Sequence, residues 1–233
     1  RANSQTADMI EGGSGAIQMI KGNFVQAFTS PSLKAYGKEY YDPNGLWAPS
    51  RVAYMGSAYN TKQVKAKDLP KVFEDVLDAK WKGKMVWASS TDTAAPLFIS
   101  NLLKTRGEKK TEAFLAKLKK QNIISFSSNL SNMTDRVGQG EYAMSLHSPA
   151  HTALAYAAKG APLDVAMMEP IPGIVNTIQL IRNAPHPHAA LLFLDYYIGE
   201  QGQSVLGKTG YIPLHPKTKP KATSLGNDFL QGI

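Results

Sequence analysis

The chain contains no cysteine. That absence excludes disulfides, thiolate metal sites and cysteine nucleophiles together. Long apolar runs are missing as well. Residues 189–194 form one of the longest, far short of the roughly 20 residues that cross a bilayer, so no transmembrane segment is expected. Internal repeats and low-complexity stretches are absent, and so are an initiating methionine and a basic-plus-apolar signal sequence. Residues 1–6 run straight toward a strand, and the expectation is that the N-terminal part of the protein lies upstream of Arg1. Acidic residues are outnumbered, 18 against 26 lysines and arginines, for a net charge of +8. Such an excess suits nucleic acid, an anionic membrane or an anionic solute. The densest lysines, Lys109, Lys110, Lys117, Lys119 and Lys120, lie on a helix whose apolar stripe is Phe114, Leu115 and Leu118. They read as a solvated face. No nucleic-acid motif accompanies them, and no nucleic-acid partner is expected.

What is present is an ordinary globular composition, 43% hydrophobic and 19% charged, which argues against disorder. The length allows one large domain or two small lobes with cores of their own. Short apolar strands alternate with helical stretches. Strands are expected at 7–10, 52–59, 84–88, 122–126, 142–146, 165–168 and 177–181. Helices are expected at 15–21, 70–77, 94–104, 108–120, 133–139, 149–159 and, as one long helix, 188–206. Alternation of this kind implies an α/β fold. Asp42-Pro43-Asn44-Gly45 is a strong turn, and Asn183-Ala184-Pro185-His186-Pro187 holds off helix until residue 188.

Three strand-to-helix junctions share one chemistry. They are Glu11-Gly12-Gly13-Ser14-Gly15, Ser89-Ser90-Thr91-Asp92-Thr93 and His147-Ser148-Pro149-Ala150-His151. The first turn of a helix offers backbone N–H groups without partners, at the positive end of the macrodipole. Glycine permits close approach, and serine or threonine adds a hydroxyl donor. The product is a site for carboxylate, phosphate or phosphonate. Each segment alone also serves as a helix cap; the three together suggest a shared ligand site. In open α/β sheets such ends gather where ligands bind. The candidate ligand residues are Gly13, Ser14, Ser90, Thr91, Thr93, His147, Ser148 and His151. Asp92 suits a cap, a cation or an amine.

Other residues were weighed against ordinary structural roles. His147 and His151 suit a metal, a protonated anion site or a polar wall, and His151 is the one metal candidate. His186 and His188 read as structural. Tyr196 and Tyr197 are adjacent in a helix, so they diverge and pack rather than chelate. Trp47 and Trp87 are core or cleft aromatics. Arg51 and Arg182 suit an anionic solute or a surface ion pair. A rival function, a serine hydrolase using Ser14, needs a G-x-S-x-G elbow, and residue 16 is alanine.

At Asp75-Val76-Leu77-Asp78-Ala79-Lys80-Trp81-Lys82-Gly83-Lys84 the chain resembles periplasmic solute-binding proteins of the ferric-iron, thiamine and phosphonate group. Further elements follow in order: Ala58-Tyr59-Asn60-Thr61-Lys62, Gly140-Glu141-Tyr142-Ala143-Met144, Lys159-Gly160-Ala161-Pro162, Glu200-Gln201-Gly202-Gln203 and Gly210-Tyr211-Ile212-Pro213. The resemblance runs from about residue 7 to residue 216. It implies an α/β fold of the type II periplasmic-binding-protein class, two lobes joined by a two-strand hinge with a ligand cleft between them. By the resemblance, 1–55 and 174–233 form lobe one, incomplete at its N-terminus, and 56–173 form lobe two. Tyr54 at the first crossing, and Glu169 and Asn176 near the return, become cleft candidates. The resemblance also implies a monomeric receptor of an ABC importer in the periplasm, not an enzyme, with no cofactor, a membrane permease as partner and a small polar, anionic or metal-complexed solute. A signalling module on the same fold is the other reading it leaves. Ferric-iron members carry two adjacent tyrosines that would fall at Ala150 and His151, so a phenolate site for Fe(III) is not expected here.

Overall fold

The computed structural model describes residues 6–88, 94–126, 129–208 and 211–219. In chain order the regular elements begin with β1 (Met9–Gly12), α1 (Ser14–Lys21), β2 (Val25–Gln26) and β3 (Ala48–Asn60). Then come β4 (Met85–Ala88), α2 (Ala94–Arg106), α3 (Glu108–Leu118), β5 (Ile124–Phe126), α4 (Leu130–Gln139), β6 (Met144–Ser145) and β7 (Ser148–Pro149). The last are α5 (Ala150–Ala157), β8 (Leu163–Ala166), β9 (Gly173–Ile181), α6 (Pro187–Ile198), α7 (Glu200–Lys208) and β10 (Ile212–Pro213). The described residues divide into two compact units. One takes the chain up to Ala53 and again from Ile174; the other is Tyr54–Gly173. No helix among the described residues is long and apolar enough to cross a membrane.

In the first unit, β1 pairs antiparallel with β9, from Met9 opposite Leu180 to Gly12 opposite Thr177. β2 pairs with the end of β9, β9 neighbours β3, and β10 pairs antiparallel with β3, Ile212 opposite Val52. Ile178 and Leu180 of β9 face Ala190, Leu194 and Ile198 of α6, with Phe28 and Tyr36 completing the core. The Tyr36 hydroxyl donates to the Ile198 carbonyl at 2.6 Å. Burial raises its pKa well beyond the usual phenol range.

In the second unit, β4 runs parallel to β5 and β6. The end of β3 pairs antiparallel with β6 at Tyr59 and Met144, and with β8 from Ser57 and Ala166 to Asn60 and Leu163. Phe73, Phe98, Leu102, Phe114 and Met144 form the larger core. The Phe73 and Phe98 rings meet edge-on at 4.8 Å, a favoured aromatic geometry. Helix α3 buries Thr111, Phe114 and Leu118, while its lysines face solvent.

Several expected elements differ. The long helix over 188–206 is two helices. Gly199 turns extended, with φ −71° and ψ 167°, and α7 packs against α6. A Cβ on Gly202 would lie 2.3 Å from the Tyr196 carbonyl oxygen, so only glycine allows this approach. The helix expected at 70–77 is a short 3-10 turn, Phe73–Leu77, bounded by extended backbone at Val72 and Asp78, with the Asp75 carboxylate accepting the Lys71 and Val72 amides at 2.8 and 3.2 Å. Helix α4 begins three residues early because the Asn129 side chain accepts the Asn132 amide at 2.9 Å.

Asp195 of α6 accepts from the Ser30 hydroxyl and, at 3.1 Å, from the Ser32 amide. The Ser30 hydrogen bond, the larger cause, and the Ser32 bond hold its carboxyl below the ordinary value. A depressed folded-state pKa gives stability that is present above the unfolded value, about pH 4, and is lost as pH falls through the folded one. Urea unfolding of Asp195→Asn should therefore lose less of its midpoint on acidification below about pH 4 than the parent chain does.

Candidate functional site

The first junction lies within the first unit. β1 ends at Gly12, and α1 opens one residue later with Gly13 as its N-cap. Gly13 has no side chain with which to cap the helix, and the first turn holds no acidic residue. The Ala16 amide is taken by the Gly13 carbonyl at 3.1 Å. Asn176 of β9, 8% exposed, closes one side. A Cβ on Gly13 would come within 3.3 Å of its Oδ1. Thr177 donates to the Gly12 carbonyl at 3.4 Å, and Gln179 donates to Thr177 Oγ1 at 3.1 Å. The structure thus brings Gly13 and Asn176 together. The side chain of Ser14 lies outside the described part of the molecule.

Behind the junction is a polar cluster. Arg51 of β3 donates from Nε and Nη2 to the two oxygens of Glu11, each at 3.1 Å. Its guanidinium carbon lies 4.2 Å from the centre of the Tyr211 ring. Ser50 donates to Glu11 at 2.8 Å and shares a 3.0 Å hydrogen bond with the Tyr197 hydroxyl. Burial raises the Tyr197 phenol. Arg51 is therefore paired with Glu11 through Nε and Nη2. Sequence reading weighed Arg51 but missed Glu11 and Ser50 as its company. The only local signal was the position of Glu11 beside the glycines. Arg182 is likewise occupied, donating to Asn23 and to the Val25 carbonyl. Tyr196 is exposed while Tyr197 packs inward, as adjacent helical positions require.

The second junction follows β4. Ser90, Thr91 and Thr93, with Asp92, lie outside the described residues.

The third junction lies in the second unit. His147 is 1% exposed. Its ring stacks on Phe98 with centroids 5.6 Å apart and meets Trp87 edge-on at 6.1 Å. Ser148, also 1% exposed, shares a 2.8 Å hydrogen bond with Ser145 and receives one from Thr134 at 3.3 Å. Ser145 also accepts the Ala58 amide of β3 at 3.0 Å. His147 and Ser148 thus sit in the packed interior of this unit, one among aromatic rings and the other in a hydroxyl cluster. His151 is half-buried in the first turn of α5, beside buried Ala150. Tyr54 is buried on β3. No group of three or more histidine, aspartate or glutamate side chains with metal-binding geometry occurs among the described residues.

A family model described as bacterial extracellular solute-binding protein matches residues 4–229. The chain belongs to this family. This solute-binding protein is 22% identical over 200 residues to iron uptake protein A1 of Synechocystis sp. (strain ATCC 27184 / PCC 6803 / Kazusa), a match covering 80% of the chain. It spans 55% of that relative's length. Its fold matches AfuA from Actinobacillus pleuropneumoniae, solved with exogenous fructose-6-phosphate bound, with a TM-score of 0.76 at 21% identity. That match covers 94% of this chain and 72% of AfuA. Iron-bound HitA from Pseudomonas aeruginosa matches with a TM-score of 0.71 at 20% identity, over 93% and 72% of the two chains. The fold of this solute-binding protein is accordingly the mixed α/β, open-sheet fold of type II periplasmic binding proteins. The family and these neighbours are binding proteins, and the family is extracytoplasmic.

Proposed function

We propose that this chain is part of a monomeric ABC-importer receptor that captures a small anionic, phosphate-bearing solute and presents it to the membrane permease. The observation that carries the solute class is the opening of α1. It has a glycine N-cap, no acidic residue in its first turn, and Asn176 at its side. The positive end of a helix favours an anion, and Asn176, whose Oδ1 lies nearest Gly13, borders the opening. AfuA, a structural neighbour, was solved with a sugar phosphate. Relatives named for iron favour a ferric solute instead. Against that reading, Ala150 and His151 stand where a tyrosine pair would supply phenolate oxygens. Capture by closure of the two units on the solute follows from the family resemblance.

Titration calorimetry and thermal shift with fructose-6-phosphate, inorganic phosphate and ferric citrate test the proposal. At about 100 times its Kd, a true solute stabilises by roughly 2.7 kcal/mol, which raises Tm by about 5–10 °C at this size. Gly13→Val crowds Asn176 and the helix opening, and should weaken the phosphate compounds by about tenfold or more, the worth of one charge-assisted hydrogen bond. Tight ferric binding with no phosphate response would overturn the anionic reading.

A further inference from the structure

The second unit carries a groove of about 510 Å³ that the receptor reading does not use. Lys65, Lys67, Lys80 and Lys84 line it, and Asp68 is the one acidic side chain among its lining residues. The local structure presents these lysines together. Lys65 and Lys67 stand at and within a 3-10 turn, Ala66–Asp68, that follows β3. Lys80 lies in a second 3-10 turn, Ala79–Trp81. Gly83 then reverses the chain at φ +72°, a conformation that favours glycine. Lys84 follows it, with its amide on the Trp81 carbonyl at 3.0 Å. The Gly83 amide is tied to the Gln121 carbonyl at 2.8 Å, which fixes this reversal to the body of the unit. The groove is therefore framed by hydrogen-bonded backbone. It lies where β4 begins, whereas the junction with Ser90 and Thr91 follows the opposite end of that strand.

Two features point to an occupant. Like charges brought together around a concavity repel one another and concentrate positive potential there. Lys65, Lys67 and Lys84 take part in no ion pair among the described residues. Lys80 turns its ammonium to the Asp68 carbonyl at 3.1 Å, and it lies 5.2 Å from the Trp81 ring centre. The second feature is the scarcity of opposing charge, since Asp68 is the one acidic side chain among the lining residues. An occupant that brings several anionic oxygens answers the lysines. The volume falls in the range of small-ligand sites, about 300–1,000 Å³.

We infer that this groove is a second binding site, for a compact polyanion bearing two or more phosphate groups, either free in solution or on the headgroup of an anionic lipid. The probe for the free form is tripolyphosphate, titrated calorimetrically at low salt into the protein and into Gly13→Val, which removes any contribution from the α1 site. Both should bind one equivalent at the groove with matching affinity. Lys65→Ala combined with Lys84→Ala should weaken that binding by tenfold or more, the loss expected for charge-assisted contacts. Lys65→Arg combined with Lys84→Arg, which keeps both charges, should retain the binding to within a few-fold. Sedimentation with cardiolipin vesicles, whose headgroup carries two phosphates, against phosphatidylcholine controls, separates the sources. Capture that tripolyphosphate displaces identifies the headgroup; tripolyphosphate binding without vesicle capture identifies the free compound. Binding of neither probe, or binding that the double lysine variant leaves unchanged, overturns the inference.

Discussion

Gln203→Leu should destabilise the first unit by roughly 3–5 kcal/mol, the cost of stranding several buried polar groups. Gln203 is fully buried on α7. Its amide donates to the Ser50 carbonyl of β3 at 2.7 Å and to the Tyr197 carbonyl of α6 at 3.1 Å. Its oxygen accepts the Leu214 amide, just past β10, at 2.7 Å. One side chain thus ties three segments to α7, and leucine ties none of them while occupying the same space. A chain with two cores need not unfold in one step. Trp47 lies in the first unit and Trp81 and Trp87 in the second, so fluorescence of single-tryptophan variants can assign each transition. The transition reported by Trp47 should move by about 10 °C, with the other nearly in place. Equal movement of both, or a shift of a degree or two, would show that the hub has no such role.

Phe98→Ala is the counterpart in the second unit, with an expected cost of about 3–5 kcal/mol. Phe98 is 1% exposed and lies between the Phe73 ring and the stacked His147 ring. Removing it leaves a cavity whose lining loses dispersion contacts on several sides, and it takes away the surface on which the imidazole rests. Denaturant unfolding followed through Trp87, edge-on to the same imidazole, should show a lowered midpoint. Phe98→Leu should restore about half of the loss, since it refills most of the volume.

Features written within a few residues were legible in the sequence. The turn at Asp42-Pro43-Asn44-Gly45 is one. Asp42 accepts the Asn44 and Leu46 amides at 3.0 Å each, and Gly45 takes φ +75°. The glycine-rich start of α1 is another, because a strand that meets consecutive glycines before a helical run has few alternatives. The amphipathic face of α3 is a third. What stayed hidden depends on partners far apart in the chain. Glu11 and Arg51 are separated by 40 positions and Gln203 and Ser50 by 153, and nothing local marks either pair. The 3-10 turn at Phe73–Leu77 was misread because the run of helix-forming residues stops at Asp78, which turns extended and accepts the Lys80 amide at 2.9 Å. The break between α6 and α7 was misread because Gly199 and Gly202 are tolerable inside a helix; the close approach that needs them appears only in three dimensions. The aromatic surroundings of His147 were equally hidden, since the rings around it come from β4 and α2.

The pairing of Glu11 with Arg51 sets the kind of force available at the neighbouring helix opening. With the cation already neutralised, an anion seated there would be gripped by oriented dipoles, whose pull is short in range and strict in direction. Affinity at that seat should hardly change with ionic strength, and it should separate solutes by the angles of their oxygens more than by how much charge they carry.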